Sequence, residues 1–96
     1  MCSFKSTSVE DISIPKSVEE IGCNAFSNCK SLRKITFKDG IRLKKIYGNA
    51  FLWCTNLKNI YLPEGLESIG EYCFSCSGLT EIKIPQSVKM ILKSAF

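Results

Sequence analysis

Apolar positions recur along this chain in one repeating unit. From Val9 the chain reads VEDISIPKSVEEIGCNAFSNCKS, and from Leu32 it reads LRKITFKDGIRLKKIYGNAFLWCTN. From Leu57 it reads LKNIYLPEGLESIGEYCFSCSG, and from Leu79 LTEIKIPQSVKMILKSAF. The unit starts lie 23, 25 and 22 residues apart. Ile12, Ile35, Ile60 and Ile82 share one position, and Ile14, Phe37, Leu62 and Ile84 share the next inward one. Ile21, Ile46, Ile69 and Ile91 form a third column, and Phe26, Phe51, Phe74 and Phe96 a fourth, always five residues further on. Self-similarity at this period is the signature of a stacked-repeat architecture.

Each unit carries its own structural cues. The segment holding Ile12 and Ile14 alternates inward and outward, as a half-buried strand does. Equivalent strands would stack about 4.8 Å apart as a parallel sheet. Pro15, Pro63 and Pro85 end three of these strands, because proline has no N–H for a ladder. The three-residue apolar spacing of Val18 and Ile21 fits a tight helical turn or a short second strand, and the short strand, ended by Gly22 or Gly70, is the preferred reading. The Ala25–Phe26 segment then turns the chain back, with the ring at the coil centre. The predicted fold is therefore a mainly β solenoid with little helix. It has about four coils of 22–25 residues, built from short parallel strands and turns or short 3-10 segments.

The unit boundaries divide the chain into a partial unit 1–8, repeats 9–31, 32–56 and 57–78, and a truncated repeat 79–96. Phe4 sits five residues before Val9, as Phe74 does before Leu79, so residues 1–8 read as the tail of a preceding unit. Both ends cut through a repeat and no polar cap is visible, so the expected context is a longer array. In the second unit Lys38 replaces proline, and KDGIRLKK carries two extra residues around the turn signal Asp39-Gly40, predicting a local bulge.

The pieces SVEEIGCNAFSNCKSLRKITF, KKIYGNAFLWCTNLKNIYLP, GLESIGEYCFSCSGLTEIKIP and SVKMILKSAF resemble the BspA-like, or treponema-type, leucine-rich repeats. The resemblance runs from Val9 onward and is specific because it recurs four times. It implies a leucine-rich-repeat solenoid, right-handed, with a parallel sheet on one face. It also implies adhesion to host or matrix proteins and cell–cell contact, the roles of surface proteins of oral and gut bacteria and of anaerobic protozoan parasites. It implies no active site. The chain departs from the better-known surface members in showing no secretion signal or anchor: MCSFKSTSVE has no apolar core, and no charge-free stretch approaches the roughly 20 apolar residues that span a bilayer.

Composition narrows the chemistry. The 96 residues are 45% hydrophobic and 23% charged, which is ordinary globular usage. Histidine is absent, removing the commonest general base and the commonest metal ligand. Nucleophilic catalysis needs a base beside Ser or Cys, and the nine acids are scattered over variable positions. The expectation is no enzyme, no cofactor and no metal site.

Six cysteines admit three readings. Cys29 and Cys54 each lie three residues after their phenylalanine, and Cys76 reads as their counterpart one position earlier in a shorter unit. Small packed thiols are one reading. Rung-to-rung disulfides are the second, opposed by a rung spacing wider than the usual 3.5–4.5 Å Cβ separation. Redox or metal chemistry at CFSC, Cys73 to Cys76, is the third, opposed by the architectural origin of the spacing. The balance favours reduced, buried thiols.

On the predicted sheet Ser13, Thr36, Tyr61 and Lys83 point outward, flanked by Glu10 and Asp11, Arg33 and Lys34, Lys58 and Asn59, then Thr80 and Glu81. These columns would line one continuous face, the surface such arrays offer to partners. Tyr61 is the best single anchor. Residues 30–45 hold Lys30, Arg33, Lys34, Lys38, Arg42, Lys44 and Lys45 against Asp39, a net +6 in a chain of +4. That patch would steer an acidic protein, an anionic glycan or a membrane surface, or simply keep an edge solvated. Nucleic acid is not expected, since no recognition helix, zinc finger or aromatic platform is present. Trp53 is placed either to dock a partner or to fold onto the core. The expected function is a non-catalytic, adhesion-type protein-binding module using its strand face. A structural spacer is the alternative, and self-association through exposed end coils is a further possibility.

Overall fold

The structure, a computed structural model, describes residues 10–92 and 94–96, with nothing said of the Glu81 side chain. Phe4 and the partial unit 1–8 lie outside the described residues. Each coil contributes a longer and a shorter strand. The longer ones are β1 (Asp11–Ile14), β3 (Lys34–Phe37), β5 (Asn59–Tyr61) and β7 (Glu81–Lys83). The shorter ones are β2 (Glu20–Ile21), β4 (Lys45–Ile46), β6 (Ser68–Ile69) and β8 (Met90–Ile91). Every pairing is parallel and aligns repeat equivalents, as in Ile12↔Ile35, Ile60↔Ile82 and Ile21↔Ile46↔Ile69↔Ile91. The predicted solenoid of short parallel strands is thus observed, no helix occurs among the described residues, and the VEEI segment ends in a two-residue strand, Glu20–Ile21.

The turn segment that closes each coil is hydrogen-bonded by alternation. In coil one, Ala25, Ser27 and Cys29 donate within the coil to Gly22, Asn24 and Phe26, each at 3.2 Å. The residues between them donate across to the next coil, as Phe26 to Ala50 and Asn28 to Leu52, both at 2.8 Å. Reversing successive N–H groups in this way uses two left-handed residues per complete coil: Asn24 and Asn28, Asn49 and Trp53, Tyr72 and Cys76. Asparagine is well suited to that conformation and bulky residues are not. On the strand side the donor direction is opposite, with the later coil donating to the earlier one (Arg33 to Glu10, Lys44 to Glu19, Thr80 to Lys58).

The core is a set of columns. Leu32, Leu57, Ala50, Phe51, Cys54, Ile69 and Cys73 are fully buried. The phenylalanine rings stack face to face from coil to coil, 5.2, 5.2 and 5.4 Å between centroids and within 11° of parallel. Close backbone approach fixes two glycines. A Cβ on Gly70 would fall on the backbone of Tyr47 and Gly48, and one on Gly78 on the carbonyl oxygen of Thr55. At the last coil Ile84, Met90, Ile91, Leu92 and Phe96 are exposed.

One expectation fails. The short sheet runs unbroken as β2-β4-β6-β8, but the long face is divided into β1-β3 and β5-β7, with no ladder joining β3 to β5. Three local features coincide at the break. Lys38 still donates its N–H to Ile14 at 3.3 Å, whereas Pro63 at the equivalent place has no N–H to offer Phe37. Phe37 is bulkier than Ile14 and Leu62 in its column and remains half-buried. The two extra residues of the second coil also enter just after β3, burying both Ile41 and Leu43 while Lys38, Asp39, Gly40 and Arg42 stay exposed.

Candidate functional site

Where the long face is divided lies a cleft of about 730 Å³ over coils one to three. Glu10 and Asp11 stand at the coil-one side. Arg33, Lys34 and Thr36 come from β3 and the residue before it, and Asn56, Lys58, Asn59 and Tyr61 from β5 and its approach. Strand alternation places Lys34, Thr36, Asn59 and Tyr61 outward, because Ile35 and Ile60 point into the core at 4% and 1% exposure, and Arg33, Asn56 and Lys58 are exposed on the approaches to the two strands. Tyr61 is the most exposed large hydrophobic, at 75%. Asn56 Nδ2 donates to the Lys30 carbonyl at 2.6 Å, joining the segments that lead into β5 and β3.

Of the face residues expected from sequence, Arg33, Lys34, Thr36, Lys58 and Tyr61 line this cleft, while Ser13 and Lys83 lie on the same face outside it. Ser13 pairs with Thr36 in register, and Tyr61 with Lys83. The seven cations of residues 30–45 do not form one patch. Arg33 and Lys34 belong to the long face, and Lys38 sits with Asp39 and Tyr61 at a smaller hollow of about 310 Å³. Lys45 lies on β4 in the short sheet, opposite Glu20 and Ser68. Lys44 reaches Glu67 at 3.9 Å, the one ion pair among the described residues. Lys30 and Arg42 are exposed between strands. Asn56 and the cleft itself were not foreseen; the two extra residues of the second unit, entering just after β3, are the sequence feature nearest to them, since Pro85 lacks an N–H as Pro63 does and β5 still pairs with β7.

The thiols also need correcting. Ser77, not Cys76, occupies the Cys29 and Cys54 position: its N–H donates to Phe74 at 3.2 Å, as Cys29 does to Phe26 and Cys54 to Phe51. Cys76 shares the left-handed position of Asn28 and Trp53, and both it and Cys23 are exposed rather than buried. Cys29, Cys54 and Cys73 are buried, and no disulfide joins any of the five described cysteines. The Cys54 thiol donates to the Phe26 carbonyl at 3.0 Å. Burial, reinforced by neighbouring Cys29, pushes its pKa up to about 12. Burial raises Cys73 as well. Raised pKa values disfavour the thiolate that redox and metal chemistry require. Among the described residues no three His, Cys, Asp or Glu side chains converge on a metal-sized site. Trp53 is 46% exposed on the turn segment.

The pattern of the BspA type leucine-rich repeat region matches residues 1–96 in six copies. The chain belongs to that family. Among solved structures, this BspA-type chain resembles a leucine-rich repeat protein from T. pallidum. The two share 40% identity with a TM-score of 0.82, over 88% of this chain and 39% of that one. A leucine-rich repeat protein from Bacteroides capillosus is 31% identical with a TM-score of 0.72, over 82% of this chain and 56% of that one. A leucine-rich cell surface protein from Faecalibacterium prausnitzii is 30% identical with a TM-score of 0.63, over 99% of this chain and 32% of that one. The chain therefore spans between about a third and just over half of these proteins. No curated protein matches it significantly. No helix among the described residues is long and apolar enough to cross a membrane.

Proposed function

We propose that this BspA-type repeat segment is a non-catalytic, adhesion-type protein-binding module that presents its long strand face to a partner. One observation carries the reading. Arg33, Lys34, Lys58 and Tyr61, from two successive coils, surround one cleft, and none of the three cations has a described carboxylate within 4.0 Å. Cations without a described carboxylate partner, beside an exposed aromatic residue, are what an interface uses as anchors. The similarity to a cell surface protein of F. prausnitzii supports a surface role facing host or matrix proteins. The exposed apolar side chains of the last coil fit continuation into further coils of a longer array, and self-association is what that surface would do if left uncovered.

The test uses a panel of purified matrix proteins and a surface-binding assay. For any protein bound by the wild-type chain, Tyr61→Ala and the double change Arg33→Glu/Lys34→Glu should each weaken binding at least about tenfold. Thermal unfolding followed by far-UV circular dichroism should stay unchanged, because all three side chains are exposed. Wild-type affinity in both variants would remove the strand face from the interaction.

A further inference from the structure

The charges around the cleft are ordered by coil. Coil one contributes Glu10 and Asp11, coil two Arg33 and Lys34, and coil three Lys58, with Tyr61 beside it. Asp11 and Lys34 are register partners on adjacent strands, yet no carboxylate–cation contact within 4.0 Å is formed between the two groups. The cleft is thus acidic at one end and basic over the rest, and its charges are left for a ligand. A uniformly anionic glycan would meet repulsion at the coil-one end. A peptide carrying both signs would not.

We propose that the cleft takes an extended peptide segment with charges of both signs, its acidic side chain over Arg33, Lys34 and Lys58 and its basic one over Glu10 and Asp11. This rests on the strand-face reading and specifies its ligand. The three cations span coils two and three, so their centre lies about one and a half coil steps, or about 7 Å, from coil one. An extended chain covers that distance in about two residues, which keeps both side chains on one face. The recognised pattern is an acid and a base two positions apart, with an apolar or aromatic residue two positions beyond the acid against Tyr61 on coil three.

The experiment is an array of seven-residue peptides bearing Glu/Lys, Glu/Glu, Lys/Lys or Ser/Ser pairs two positions apart, with heparin as a uniformly anionic competitor. The wild-type chain should be retained on Glu/Lys peptides about fivefold more than on Glu/Glu, the gain expected from one additional exposed ion pair. Glu10→Lys/Asp11→Lys should shift the preference to Glu/Glu and make retention sensitive to heparin, and Arg33→Glu/Lys34→Glu should abolish the Glu/Lys preference. Equal or stronger retention on Glu/Glu, displacement of the wild-type chain by heparin, or no retention on any peptide would overturn the proposal. If retention ignores charge order but is lost in Tyr61→Ala, the strand face stands and only its proposed ligand falls. If Lys45→Glu on the short sheet abolishes retention while the cleft variants do not, the strand-face reading falls as well.

Discussion

Replacing Phe51 by alanine tests the phenylalanine column where it is most enclosed. Phe51 is 0% exposed and stacks on Phe26 and Phe74, both at 5.2 Å. Truncating a fully buried phenylalanine costs about 3–5 kcal/mol, and loss of two stacked contacts places this site at the upper end. Phe96 supplies the internal comparison. It is 50% exposed and stacks on Phe74 at 5.4 Å, so Phe96→Ala should cost about half as much, near 2 kcal/mol. Against a typical stability of about 5–15 kcal/mol, the first change is severe and the second tolerable. Urea unfolding should be followed by far-UV circular dichroism and by emission of Trp53, the single tryptophan, two residues beyond Phe51. A Phe51→Ala cost no larger than that of Phe96→Ala would refute the claim that the rings form the load path between coils.

Other outcomes follow from the same geometry. Gly70→Ala should destabilise by more than about 2 kcal/mol, because its Cβ meets rigid backbone of the preceding coil. Gly65→Ala, at φ +95 in open space, should cost only about 1 kcal/mol, and equal urea midpoints for the two variants would contradict the close-approach argument. Tyr47 and Tyr72 are 37% and 38% exposed, but only Tyr72 has a left-handed backbone, with φ 57. Tyr→Asn should therefore cost about 1 kcal/mol less at 72 than at 47, since asparagine relieves the strain, and the reverse order would refute it. Among Cys23, Cys29, Cys54, Cys73 and Cys76, alkylation of the native chain at pH 8 should label Cys23 and Cys76 only, as read by peptide mass spectrometry. Cys54 holds its proton to about pH 12 when folded, while an unfolded thiol titrates near 9. Its contribution is complete below pH 9 and is lost between pH 9 and 12 as the unfolded chain sheds the proton first, so urea midpoints should fall across that window.

Much of the architecture was legible because the repeat is strict where packing is strict. Ile21, Ile46, Ile69 and Ile91, with the phenylalanines five residues later, fix both the short sheet and the ring stack. The break in the long face was not read from sequence, because it depends on a missing donor at Pro63, the bulk of Phe37 and an insertion acting together at one place. Cys76 was misplaced for a simpler reason. The third unit is one residue shorter after Ser77, not before it, and only the hydrogen bond from Ser77 to Phe74 shows where the gap falls. The basic run misled in another way: the twelve positions from Lys34 to Lys45 cross from the long face to the short sheet, so proximity in sequence became separation in space. Of the candidate site, Lys34, Thr36 and Tyr61 followed from repeat register, because alternate residues of stacked strands share a face, and Arg33 and Lys58 from their equivalent places just before those strands.

The central claim is that the long strand face meets the partner, and a photocrosslinker placed at two positions tests it most directly. One chain carries the group at residue 61, on that face, and the other at residue 72, on the turn segment; each is offered to the same bound matrix protein. The account predicts a covalent adduct from position 61 and none above background from position 72. Adducts from position 72 alone, or equal yields from both, would contradict it.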